Sequence, residues 1–271
     1  MSCVLVKNGE NRALVVIPEN ASPFEKIAAD LVVRYIYSGA GVKPEIVTES
    51  VAKYCLSRGD DKQCIYIGNT AALKNRNLPV RHGRGGFTVK EADGDLFIFG
   101  HGRCGVIWAA QAFLEKAVSY KFFAADEIEY DKTDVVDVTG YDFYFTPSIE
   151  NRASGFFAAS KDSVYATGLK AMTRFGGLAD GSPFFGTWNE KISCHNHLTI
   201  LPPDKYYKDH PEWYDSKKNQ LCLTNPQMRD EFFKNLIEYF KAYPNQTHFL
   251  LGHEDNEDVC ECERCRERAK A

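Results

Sequence analysis

The segment that most restricts the fold lies close to the end of the chain. The apolar run Thr247-His248-Phe249-Leu250-Leu251 passes through Gly252 into His253-Glu254-Asp255-Asn256, and Cys260-x-Cys262-x-x-Cys265 follows. A short apolar run of this kind reads as a buried strand. A strand that stops in carboxylates and an amide has the character of a barrel strand, whose carboxyl end carries the chemistry. Three cysteines so close together predict a knot that fixes the loop beside them. The sequence stops at Ala271, directly after this feature, so the expectation is a chain that breaks off part-way through a larger fold.

At 271 residues the chain is long enough for one large domain or two ordinary ones. Its formal net charge of -4 gives no electrostatic reason to expect nucleic acid as a partner. No apolar run reaches the roughly 18 residues of a membrane span, so no membrane partner is expected. The opening Met1-Ser2-Cys3-Val4-Leu5-Val6-Lys7 lacks a signal-peptide pattern, which makes the cytoplasm the default location. Nothing in the sequence fixes an oligomeric state. Cys3, Cys55, Cys64, Cys104, Cys194 and Cys222 are scattered, several within apolar runs, and read as reduced, buried thiols.

The first half reads as α/β. Leu14-Val15-Val16-Ile17 has the continuous apolarity of a buried strand. Ser22-Pro23-Phe24-Glu25 then opens a helix, with Ser22 as cap, Pro23 at the first position and Glu25 completing a capping box. Phe24, Ile27, Ala28, Leu31, Tyr35 and Ile36 recur at helical spacing, and Gly39 and Gly41 end the pattern. Strands are expected at Glu45-Ile46-Val47 and Cys64-Ile65-Tyr66-Ile67. Two further apolar runs flank Asp93-Gly94, a strong hairpin signal.

After that hairpin comes Gly100-His101-Gly102-Arg103-Cys104-Gly105, and Asp126 lies about 20 residues further on. On pattern alone this is a dinucleotide-binding fingerprint, which would make the chain a nucleotide-binding oxidoreductase. The competing reading is that the glycines let a strand turn tightly into a helix carrying Trp108, Phe113 and Leu114 onto the sheet. The strand before the motif is the second arm of a hairpin, and no strand-helix-strand series follows, which favours the tight turn.

Several elements here resemble the accessory N-terminal domain of α-glucuronidases of glycoside hydrolase family 67. They are the apolar hairpin from Gly86-Phe87 to Phe99-Gly100, Gly105, the helix Trp108 to Glu115, and the aromatic strand Tyr120 to Phe123. A similar domain precedes the barrel in β-hexosaminidases. The resemblance covers residues 10–135 and implies a non-catalytic domain.

Residues 131–141 are charged, lack helical period and read as a linker; a new unit begins near Pro147. Strands are expected near 150–154, 191–194 and 247–251, helices near 163–175 and 225–242, and a loop over 195–214. Asn225-Pro226 starts the last helix, with Met228, Phe232, Leu236, Tyr239 and Phe240 as its buried face. Alternating strands and helices imply a parallel sheet. The strings from His197 to Tyr214 and from Gln220 to Pro226, taken with Glu254-Asp255-Asn256 and the three cysteines, resemble an uncharacterised bacterial family known only as a domain of unknown function. That family commonly follows a glucuronidase-type N-terminal domain, and the resemblance implies a (β/α) barrel of glycoside-hydrolase type. The expected architecture is therefore a small α/β sandwich in residues 1–137 and the first half of a TIM-type barrel in residues 138–271. A whole barrel needs about 250 residues.

Asp255 and Glu254 are the candidate catalytic carboxylates. Glycoside hydrolysis takes two carboxyl groups, but neighbours on one strand point to opposite sides, so only one of these faces a pocket. Asp255 is favoured because Asp255-Asn256 matches the family. Arg152, at the end of an expected strand, is a candidate bidentate clamp for a sugar carboxylate. His195, His197 and Asn256 are candidate substrate contacts, the two histidines sharing one face if the strand continues through them. Trp188, Trp213, Tyr206 and Tyr207 either stack on sugar rings or pack the loop. The expected function is a carbohydrate-active protein of glycoside-hydrolase type, taking an oligo- or polysaccharide that contains uronic acids, and inactive in this incomplete form. A non-catalytic carbohydrate-binding remnant is the alternative.

No organic cofactor is expected. Cys260, Cys262 and Cys265 have zinc-like spacing but no adjacent fourth ligand, which Cys222, Cys194 or His253 would have to supply. A structural zinc ion, a disulfide and plain reduced thiols all remain open. A catalytic cysteine is not expected, since Glu257, Asp258, Glu261 and Glu263 should raise the thiol pKa values.

Overall fold

A computed structural model describes residues 2–102, 104–124, 126–149, 152, 163–171, 195–242 and 251–270. The chain forms two compact units, Met1–Phe185 and Gly186–Ala271.

The first unit is a mixed α/β structure. Its strands are β1 (Val4–Lys7), β2 (Glu10–Asn11), β3 (Ala13–Ile17), β4 (Glu45–Thr48), β5 (Gln63–Ile67), β6 (Phe87–Ala92), β7 (Asp95–Gly100), β8 (Lys121–Ala124), β9 (Glu127–Glu129), β10 (Val136–Asp137) and β11 (Asp142–Phe145). The main sheet has the order β11-β6-β7-β5-β3-β4. β3 runs parallel to β4 and β5, and β5 runs parallel to β7, while β6 and β11 are antiparallel to their neighbours. Helices α1 (Pro23–Ala40), α2 (Glu49–Ser57), α3 (Ala71–Asn75) and α4 (Gly105–Ala117) complete the layers. Val15, Ile65, Val89 and Ile98 share a core with α1 and α4. Leu14 and Val16, one residue out of phase, pack with Ala52 of α2. The continuous apolarity of β3 thus reflects burial on both faces.

The local signals act as expected at α1 and at the hairpin. Ser22 Oγ accepts the Glu25 N–H at 3.3 Å, and Glu25 Oε2 accepts the Ser22 N–H at 2.7 Å, closing the capping box. Gly41 ends the helix at φ 73°. Asp93 and Gly94, at φ 54° and 87°, make the two-residue turn between β6 and β7. Positive φ at both positions is what a type I′ hairpin requires.

The glycine motif is a packing device. A Cβ on Gly100 would run into the Gly105 backbone, and one on Gly105 would lie 2.7 Å from the Gly86 carbonyl oxygen. Three chain segments cross where β7 turns into α4, and only glycine fits there. β7 has a parallel neighbour, β5, as well as the antiparallel β6. Among the described residues, however, the only strand that α4 precedes in this sheet is β11, an antiparallel edge strand beside β6. The parallel β-α-β unit of a dinucleotide site is absent there, which argues against nucleotide binding at this motif. Trp108, Phe113 and Leu114 are buried against the sheet.

The segment expected as a linker is built into this unit. β10 pairs with β1, and β11 extends the main sheet across Asp142–Phe145. The boundary expected after residue 137 therefore falls between two strands of one unit. Edge strands and the loops beside them carry charged residues, so the polarity of 131–141 does not mark a free linker.

The second unit begins with short helical turns where a loop was expected: His197–Ile200, Pro203–Tyr206 and the 3-10 turn Pro211–Trp213. Pro203 and Pro211 each sit at a first helical position, where a missing N–H costs nothing. The helix Pro226–Ala242 follows, with the Asn225 side chain accepting the Met228 N–H at 3.2 Å. Met228, Phe232 and Leu236 pack with Ile200, Leu201, Tyr206, Trp213, Tyr214 and Leu221; Phe240 is exposed. Tyr206 and Trp213 thus belong to the core of this unit, and His210 stacks on Trp213 at 3.9 Å. A last short helix spans Glu263–Arg268. The strands expected at 150–154, 191–194 and 247–251 fall outside the described residues except for Arg152 and Leu251, as do Trp188 and Cys194. The helix expected over 163–175 is Ser163–Gly168, followed by Lys170 at φ 52°.

Candidate functional site

Two short segments of the second unit converge, the turn 214–225 and the loop 251–265. The turn is organised by Asp215. Its Oδ1 accepts the N–H groups of Asn219 and Gln220, both at 2.6 Å, and its Oδ2 accepts that of Lys217 at 3.0 Å. Lys218 occupies φ 65° at the tip. This winding turns the buried Gln220 amide towards the loop, where Nε2 donates to the Glu254 carbonyl at 2.8 Å and to Asn256 Oδ1 at 2.9 Å. Asn256 Oδ1 also accepts the Asp258 N–H at 3.0 Å. Asp258 in turn accepts from Asn219 at 2.7 Å and Lys217 at 2.6 Å, which holds its carboxyl below the usual range.

The start of the loop is tied to Asn196. The Asn196 N–H donates to the Gly252 carbonyl at 3.0 Å, and its side-chain oxygen accepts the Gly252 N–H at 3.3 Å. His195 donates through Nδ1 to the His253 carbonyl at 2.8 Å. That leaves its Nε2 3.8 Å from Asp255 Oδ2. The Asp255 side chain is 88% exposed, so an acid and an imidazole stand together at the surface of an anchored loop.

The expected residues separate into different environments. Glu254 turns inward, and its Oε1 accepts the Leu198 N–H at 2.9 Å. His195 and His197 do not share a face, because the chain enters a helix at His197 and does not continue as a strand. His197 is buried edge-on against Phe232, 5.4 Å between ring centres. Burial lowers its pKa against an opposing pull from the Glu254 carboxylate. Asn256 spends its oxygen on holding the loop. Arg152, in the first unit, donates from Nε to the Lys170 carbonyl at 2.7 Å and from Nη1 to the Ile149 carbonyl at 2.6 Å, and lies 4.5 Å over the Trp108 ring. Two of its nitrogens are taken by main-chain carbonyls, which disfavours the clamp expected of it. Asp215, Asn196 and Gln220 were not singled out by sequence reasoning. Asn196 and Gln220 act on partners remote in sequence, so their spacing carries no motif, whereas Asp215 winds a local turn over Lys217, Asn219 and Gln220.

The cysteines converge. Cys222, Cys260, Cys262 and Cys265 place their sulfurs within 4.8 Å of one another, and all four are free thiols. Cys222 is the fourth member. It follows the bridge between Tyr214 and Leu221, and its N–H donates to the Trp213 carbonyl at 2.7 Å. Burial pushes the Cys222 and Cys260 thiols up. The acidic neighbours do not raise Cys262 as expected; the Cys265 backbone N–H beside its sulfur draws it down to about 6.

No curated protein matches the chain. Among solved structures it is similar to a family GH115 4-O-methyl-α-glucuronidase with specificity for decorated arabinogalactans, at 10% identity and a TM-score of 0.48. The match covers 95% of this chain and 38% of that one, so the chain spans well under half that protein's length. Residues 122–271, more than half of the chain and including every residue of the cysteine cluster and the anchored loop, match the model of a family described as domain of unknown function DUF4838, and the chain belongs to that family.

Proposed function

We propose that the chain is a carbohydrate-active protein of glycoside-hydrolase type that receives an oligo- or polysaccharide at the loop bearing Asp255. The observation that carries the reading is the Asp255–His195 pair, 3.8 Å apart and solvent-facing on a loop tied down by Asn196 and Gln220. With the Nδ1–H of His195 given to the His253 carbonyl, the neutral ring turns Nε2 outward as an acceptor beside the Asp255 carboxylate, and two acceptors at this spacing suit the donors of adjacent sugar hydroxyls. Hydrolysis would also call on a second carboxyl group. Glu254 is engaged by the Leu198 N–H and Asp258 by Lys217 and Asn219, so neither takes that role without leaving its partner. Uronic-acid sugars are the favoured substrates, on the resemblance of residues 10–135 to the accessory domain of α-glucuronidases. In this reading the first unit supports and does not catalyse.

The engagement of Glu254 favours a second reading, a binding module without turnover. Isothermal titration against uronic-acid and neutral oligosaccharides, run beside an assay on aryl glycosides and glucuronides, tests both. Binding that weakens about tenfold, or about 1.4 kcal/mol, in Asp255→Asn supports the site. Turnover by the chain would exclude the module reading, and no binding to any sugar of the panel would sink both.

A further inference from the structure

The four-cysteine cluster has the dimensions of a metal site. The Cys222 sulfur is 3.6 Å from that of Cys262 and 3.8 Å from that of Cys265, and all four sulfurs fit within 4.8 Å. A tetrahedral zinc ion with Zn–S bonds of about 2.3 Å sets its sulfurs about 3.8 Å apart. We propose that Cys222, Cys260, Cys262 and Cys265 bind one zinc ion as a closed tetrathiolate centre. Four thiolates fill all coordination positions, so the ion has none left for water or substrate, and its role is structural. Soft sulfur ligands select zinc over magnesium or calcium. The Thr224 hydroxyl, 3.1 Å from the Cys265 sulfur, orients that ligand from outside the coordination shell.

The rest of the loop shows why such a tie is needed. The helix Glu263–Arg268 buries none of its residues. Six residues are too few to hold helical structure without packing. Apart from the sulfur contacts of the cluster, Gln220, Lys217 and Asn219 hydrogen-bond the loop 254–262 to the turn. The zinc ion would join this segment to Cys222, just before the Asn225 cap of the helix Pro226–Ala242. It would thereby fix the loop on which Asp255 stands, whatever ligand that loop takes, so the inference stands apart from the carbohydrate reading.

The full chain, purified without chelator or added metal, is expected to carry about one zinc per molecule by elemental analysis. Under native conditions a chelator should make four further thiols reactive towards a thiol reagent. Replacement by cobalt(II) should give the visible absorption of a tetrahedral tetrathiolate. Cys222→Ser should lose the zinc, whereas Cys55→Ser, in α2 and outside the cluster, should keep it. Zinc near zero in the wild-type chain, with no cobalt spectrum after reconstitution, would overturn the proposal even if the variant fails to fold. Full zinc content in folded Cys222→Ser would overturn Cys222 as a ligand.

Discussion

The sulfur of Cys222 lies 3.6 Å from that of Cys262, forty positions away along the chain. That closure brings the N-terminal approach of one helix against the start of another, and a metal there acts on folding directly, because no such site exists in the unfolded chain. Stripping the metal should therefore lower the stability of the second unit. At hundredfold saturation the loss is about 3 kcal/mol, on the order of 10 °C in melting temperature for a unit of this size. Calorimetry with and without chelator reads it, and an unchanged melt would argue that the thiols carry no ion.

Gln220 is the hinge pin between turn and loop. Its buried amide donates to both the Glu254 carbonyl and Asn256 Oδ1. Gln220→Ala removes both bonds, while the Glu254 carbonyl keeps the Asn256 N–H and Asn256 Oδ1 keeps the Asp258 N–H. The loss of two hydrogen bonds should cost about 1–3 kcal/mol, read by denaturant unfolding. Retained stability would mean that the loop is held by other contacts.

Gly105→Ala should destabilise the first unit. The new Cβ meets the Gly86 carbonyl and the Gly100 backbone, neither of which is a flexible side-chain end. Overpacking of this kind costs about 1–3 kcal/mol. A nicotinamide cofactor should give no thermal shift, since the glycines serve backbone packing. A clear stabilisation by the cofactor would restore the dinucleotide reading.

Signals that act within a few residues were readable from the sequence. The capping box at Ser22 and the Asp93-Gly94 turn depend on backbone only three or four positions away, so type and spacing suffice. The glycine motif shows the opposite case. Its letters suit both a phosphate cradle and a close chain crossing, and Gly86, remote in sequence, decides between them. The same holds for the cysteines: Cys260, Cys262 and Cys265 announce themselves by spacing, whereas Cys222 was one of three candidate fourth ligands until the turn at Asp215 brought it near. His195 and His197 share one face only if a strand continues through them. Asn196 instead ties the chain to Gly252, and a helix starts at His197. The expected barrel strands bear on none of this, since most of their residues lie outside those described.

His197 should make the second unit sensitive to mild acid. Its ring is buried against Phe232, and burial, aided by His253, lowers its pKa more than the Glu254 carboxylate raises it. The unfolded chain therefore binds a proton at this position more readily than the folded one. By linkage, stability is fully present above the unfolded histidine value of about 6.5 and is lost as pH falls from there through the lower folded value. One proton limits the slope to about 1.4 kcal/mol per pH unit. His82 in the first unit shifts the same way, through burial and the neighbouring His101, so the two units must be followed separately. His197→Phe removes the titrating group while keeping an aromatic ring against Phe232. Denaturant midpoints of the second unit, taken at several pH values across this range, should fall towards acid in the wild type and flatten in the variant. An equal slope in both would assign the acid sensitivity to other groups.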